Sequence, residues 1–174
     1  ASSFVFLEVY HWSGPMYGVA MASAGLAYIA GTFWCRRLLP RLGLQRSVAV
    51  AAWITLAGGM IMGVAGLAGL DAWWAFLLPH YLFMFAHGVH QPCAQTGSVA
   101  PFPQFAGAAS ALSGCLLTLV AFGIGAWLGV RLDGTAAPLV NGVWLWCVVI
   151  ALFAWWRSEE HTSELQSRQY LVCR

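Results

Sequence analysis

The sequence predicts an all-α membrane protein, a bundle of five complete transmembrane helices preceded by the end of a sixth. Two observations carry this. Hydrophobic residues make up 60% of the chain and charged residues 8%, with a mean hydropathy of +0.73, whereas soluble domains carry about a quarter charged residues. The few charges are also gathered into short breaks between long apolar runs, and Lys is absent altogether.

A bilayer core takes about 20 apolar residues per helix, and five stretches meet that length: Met16 to Trp34, Val48 to Leu67, Trp73 to Ala94, Gly107 to Val130 and Pro138 to Trp156. Ser2 to Val9 reads as the end of a sixth. Ala1 to Leu7 is apolar but has neither an initiating Met nor the basic start of a signal peptide, so the chain is expected to begin in mid-protein. Pro79 and Pro92 lie in the third complete stretch and are expected to kink or end it. Pro101-Phe102-Pro103 stiffens a short turn before the fourth. Gly59 and Gly63, and likewise Gly125 and Gly129, have the GxxxG spacing that lets helices approach closely.

Charge gives the sides. Arg36, Arg37, Arg41 and Arg46 fall in one break, and they are four of the five Arg residues before position 157, so that break is expected to be cytoplasmic. Alternating from it, Glu8, Asp71 and Asp133 all land outside, and Ser98 to Phe105 lands inside. Arg131, close to Asp133, is the single exception. Trp12, Trp73 and Trp74 near the outer boundary, and Trp34, Trp155 and Trp156 near the inner one, suit the interfacial preference of indole, while Trp127, Trp144 and Trp146 read as packing.

Several classes are excluded. A net charge of +2, interrupted by apolar spans, offers no basic stripe for nucleic acid. The five Cys form neither a CxxC pair nor an even framework, which argues against a zinc site or a disulfide scaffold, and Cys115 and Cys147 read as small packing residues. No nucleophile triad, phosphate-cradling loop or carboxylate pair suggests an enzyme. No cofactor or metal is expected.

The candidate chemistry is in the third complete stretch, where His80, His87 and His90 occur. At about 100° per residue, His87 lies roughly 20° and His90 roughly 80° around the helix from His80, placing all three on one face that Gln91 approaches. Ionisable groups inside a membrane helix usually face a bundle interior or a water-filled cavity and mark pathways for substrates or protons. Imidazole, which titrates near neutrality, is a suitable carrier. The plainer alternative is that His87 and His90 sit at the cytoplasmic end, bonded to backbone or to a neighbouring helix. A metal reading of His87-Gly88-Val89-His90 supplies too few ligands.

Composition changes after Trp156. Residues 157 to 174 hold three of the eight Arg and three of the six acids, and RSEEHTSELQS resembles a translated sequencing adapter in all eleven residues. This tail is therefore expected to be foreign to the protein, the alternative being a genuine polar cytoplasmic segment.

Between Ser2 and Trp156 the residues resemble the bicyclomycin and chloramphenicol resistance branch of the major facilitator superfamily. The resemblance rests on SSFVF at Ser2 to Phe6, on Ser13, Pro15, Tyr17 and Gly18, and on RRLLPRLG at Arg36 to Gly43. APFPQFAGAASALSG at Ala100 to Gly114 and DGTAAP at Asp133 to Pro138 complete it. It implies a twelve-helix drug:proton antiporter, of which residues 1–156 would be the C-terminal half, the end of helix 7 followed by helices 8 to 12. It also implies a missing N-terminal half as partner, a small-molecule substrate with protons, and a gating role at the cytoplasmic face for Arg36, Arg37 and Arg41. Half of such a protein is not expected to transport alone, because facilitators rock two halves about a shared site. The rival readings are a membrane redox or metal protein using the His face, and an importer of the same fold.

Overall fold

The computed structural model describes residues 2–70 and 72–172, with side chains described through Trp156. Among the described residues every regular element is helical: α1 (Ser2–Phe4), a π-helical turn (Val5–Val9), α2 (Gly14–Leu67), α3 (Trp73–Val99), a 3₁₀ turn (Pro103–Phe105), α4 (Ala106–Gly129) and α5 (Ala137–Val172). Among the described residues three helical segments, Gly14–Leu67, Pro103–Gly129 and Ala137–Trp156, are long and apolar enough to cross a membrane. The protein is all-α and of membrane type.

α2 joins what the sequence divides. The break expected around Arg36 to Arg46 is itself helical, and only Gly43 leaves helical geometry, at φ 75° and ψ 175°. A side chain is disfavoured at that positive φ, so glycine is the residue that fits. At about 1.5 Å per residue, 54 residues would extend roughly 80 Å, far beyond a hydrocarbon core of about 30 Å. The contacts show that the chain instead reverses at Gly43. Residues 14–42 run alongside α3 with numbers rising together, Ser23 meeting Tyr81 and Cys35 meeting Cys93. Residues 44–67 run against it, Thr55 meeting His90 while the Cβ of an alanine at Gly58 would lie 3.0 Å from the Pro79 carbonyl oxygen.

Small residues set these approaches. A Cβ at Gly31 would collide with the Phe85 carbonyl, and one at Gly88 with the backbone of Tyr28 and Thr32, so the first arm of α2 crosses α3 backbone to backbone. On the second arm, Gly59 abuts Cys147, and a Cβ at Gly63 would lie 2.6 Å from the Trp144 ring, which seats α5 antiparallel to this arm. The expected GxxxG packing at Gly59 and Gly63 is therefore present. At Gly125 and Gly129 an added Cβ would meet no described atom within 4 Å. α4 has a single buried residue, Leu128, and leaves Leu112, Leu116, Leu119 and Phe122 exposed.

One core cluster gathers Val5, Phe6, Met62, Phe76, Leu77 and Val140, and a second gathers Cys35, Ala51, Ala86, Val89 and Cys93. Cys147 is buried as expected, whereas Cys115 is exposed. Pro79 and Pro92 both lie within α3, which runs on to Val99.

The DGT motif has a local structural role. The Asp133 carboxylate accepts from the Thr135 backbone N–H at 3.0 Å and the Thr135 hydroxyl at 2.7 Å, Gly134 takes φ 88°, and the Thr135 hydroxyl oxygen accepts from the Ala137 N–H at the start of α5. This is the side-chain capping that helix N-termini require. Asp71 lies outside the described residues, and so do the side chains of the tail after Trp156, whose backbone continues α5 to Val172.

Candidate functional site

The site is built on one face of α3. Residues at i, i+4, i+7 and i+11 of a helix fall on one stripe, and Phe76, His80, Phe83 and His87 have that spacing. Their rings form a ladder. Phe76 and His80 have centroids 5.7 Å apart at an interplanar angle of 17°, His80 and Phe83 6.1 Å at 20°, and Phe83 and His87 6.1 Å at 5°. Both imidazoles are half-buried, so each presents polar edges beside apolar rings.

Neighbouring elements close both ends. Phe6, fully buried, meets Phe76 edge-on at 5.5 Å and tilts against Trp12 and Tyr17. At the other end, Tyr28 from the first arm of α2 tilts over His87 at 5.7 Å, and Gln91 follows His87 by four residues on α3. Between them a 2.7 Å hydrogen bond joins Ser23 and Tyr81, tying the same arm to α3.

The three histidines do not converge. Phe83 intervenes between His80 and His87. His90 turns toward the second arm of α2, where its Nε2 lies 3.2 Å from the Thr55 hydroxyl. The expected common face thus divides into a ladder carrying His80 and His87, with Gln91 one turn beyond His87, and an interhelical bond made by His90. Among the described residues no three His, Cys, Asp or Glu side chains gather as a metal-binding group.

Arg36, Arg37 and Arg41 are exposed on the last turns of the first arm, near the reversal at Gly43 and away from the ladder. The Arg36 guanidinium lies 5.6 Å from the centroid of the Phe33 ring.

Sequence reasoning missed the phenyl members of the ladder and the α2 residues that flank it. Phe76 and Phe83 were legible from the alternation of Phe and His at steps of four, three and four. Ser23, Tyr28 and Tyr81 carried no such signal, because their role depends on which helix packs beside α3.

A groove of about 440 Å³ between the second arm of α2 and α3 is lined by apolar residues including Met60, Val64, Trp74 and Leu78. Its lining reaches Pro79, next to His80 in sequence, and includes no imidazole.

No family model and no solved structure matches the chain. Among curated proteins, it is similar to multidrug resistance protein D of Escherichia coli (strain K12), with 39% identity over 61 residues. The matched stretch is 35% of this chain and 16% of that relative.

Proposed function

We propose that this chain is the C-terminal part of a drug:proton antiporter of the major facilitator type, within the bicyclomycin and chloramphenicol resistance branch. In this reading it crosses the bacterial inner membrane five times: with the two arms of α2, then α3, α4 and α5. α1 and the π-helical turn end a further crossing, and the Arg36 to Arg46 segment faces the cytoplasm. The whole protein exports small amphipathic molecules in exchange for protons. The observation that carries the reading is the Phe76–His80–Phe83–His87 ladder. It combines flat apolar surface with imidazoles, side chains that can carry a proton. Similarity over a short stretch to a multidrug resistance protein supports the substrate class.

The ladder accounts for both halves of an exchange. Phenyl faces hold an apolar or aromatic substrate without demanding one shape. A proton on His80 or His87 adds a positive charge to the same face and weakens its hold on a cationic or strongly apolar molecule. Proton and substrate then compete for one surface, which is the minimum an antiporter needs. Arg36, Arg37 and Arg41, at the cytoplasmic ends of the first arm, orient the spans and contribute to closing that face.

The test uses the full-length gene in cells lacking their major efflux pumps. Dye or drug efflux is expected to collapse on adding a protonophore. His80→Ala and His87→Ala are expected to reduce it about tenfold or more while membrane levels stay normal. Efflux that persists without a proton gradient overturns antiport, and full activity in the His80→Ala, His87→Ala double variant removes the ladder from the mechanism.

A further inference from the structure

Cys35 and Cys93 lie on different helices, 58 residues apart in sequence, with each residue 1% exposed and their sulfurs 3.8 Å apart. The Cys35 thiol also reaches the Val89 carbonyl oxygen at 3.9 Å. The Gly31–Gly88 crossing explains the meeting. Cys35 follows Gly31 by four residues and Cys93 follows Gly88 by five, so both thiols lie about one turn beyond the point where the two backbones touch. The ladder does not use this pair.

We propose that Cys35 and Cys93 form a dithiol site for a neutral thiophile that makes two bonds to sulfur, the class represented by monosubstituted trivalent arsenicals. Distance supports that class. A pyramidal trivalent atom bonded to both sulfurs at about 2.3 Å, with an angle of about 95–100°, spans roughly 3.4–3.5 Å between them. The thiols therefore accept it with little movement. A disulfide, at about 2.05 Å, needs the sulfurs to close by roughly 1.7 Å and also needs a two-electron oxidant.

Charge narrows the class further. Ala51, Ala86 and Val89 surround the pair, with Trp34, Leu39 and Leu44 packed against them, and an unpaired charge in such surroundings is costly. A monovalent soft cation on two thiolates leaves a net negative charge. An arsenical R–As=O reacting with two thiols gives R–As(S–)₂ and one water. Two As–S bonds form, the oxygen leaves with both thiol protons, arsenic stays trivalent and the product is neutral. No oxidant is required. The bound atom staples the first arm of α2 to α3.

Phenylarsine oxide, added to the full chain in detergent micelles, is the probe. Intact-mass measurement is expected to show one phenylarsenic group per chain with two hydrogens lost, retained against excess 2-mercaptoethanol and removed by 2,3-dimercaptopropanol. Proteolysis is expected to give a cross-linked pair of peptides containing Cys35 and Cys93. Cys35→Ala and Cys93→Ala are each expected to reduce retained label about tenfold or more, and Cys115→Ala and Cys147→Ala to leave it unchanged. The peptide map reads the unaltered chain, so it decides the matter even if an alanine variant folds poorly. Retained label that bridges any other pair of cysteines, or no label surviving the monothiol, overturns the proposal.

Discussion

The Thr55 hydroxyl and the His90 Nε2 stand 3.2 Å apart, one on the second arm of α2 and the other on α3. Thr55 is 1% exposed. Hydrogen bonds between membrane helices contribute about 0.5–2 kcal/mol, and a buried polar atom left alone costs about 1–3 kcal/mol. Thr55→Val keeps the shape but removes the hydroxyl, and is expected to lower stability in detergent by about 1–2 kcal/mol. A double-mutant cycle with His90→Ala should return a coupling of that size. Additive losses would mean that the two groups act independently.

The crossing at Gly31 and Gly88 predicts a contrast between glycines of the same nominal type. A methyl at Gly88 would meet the Tyr28 carbonyl and the Thr32 nitrogen, which are backbone atoms and cannot rotate away. Gly88→Ala is expected to destabilise by about 1–3 kcal/mol through forced separation of the helices. Gly125→Ala places its methyl in open space. It is expected to be neutral or to stabilise by up to about 1 kcal/mol, the difference in helix propensity. Thermal unfolding of both variants in the same detergent checks the order, and equal losses at the two sites would contradict the crossing geometry.

Gly43 carries the reversal of α2 at φ 75°. Nothing lies within 4 Å of a Cβ built there, so any cost of Gly43→Ala is conformational, not steric crowding by neighbours. A non-glycine residue in that region costs about 1–3 kcal/mol. The expected outcome is a loss of that size, together with faster proteolysis between Arg41 and Arg46. An unchanged cleavage rate would place the reversal elsewhere.

These relationships mark what could be read from the sequence. The apolar lengths and the Arg-rich break announced membrane helices, because hydrophobicity and charge act on each segment alone. Gly59 and Gly63 were legible as an approach site because their spacing is local. The helical course of residues 36–42 was not, since Pro40 and clustered Arg suggest a loop, whereas the chain needs only Gly43 to turn. The common face expected for His80, His87 and His90 follows from helical spacing alone. It did not reveal that Thr55 draws His90 aside, because that depends on where the second arm of α2 packs. Cys35 and Cys93 gave no local signal for the same reason.

The turn before α5 predicts a pH dependence. Hydrogen bonds from the Thr135 hydroxyl and backbone N–H hold the exposed Asp133 carboxyl below its usual range. Because the folded value lies below the unfolded one, the charged carboxylate favours the ordered turn above the ordinary carboxylate range. That contribution disappears as pH falls through the depressed folded value. Carbon-detected NMR titration of Asp133 is expected to give a midpoint below the ordinary value, and Thr135→Val, which removes the hydroxyl donor, should move it upward. Asp133→Asn should abolish the acid sensitivity of amide exchange at Thr135 and Ala137, while leaving exchange in the middle of α5 unaltered. If Thr135→Val leaves the midpoint where it was, the hydroxyl bond is not what holds the carboxylate, and the Thr135 backbone donor alone lowers it.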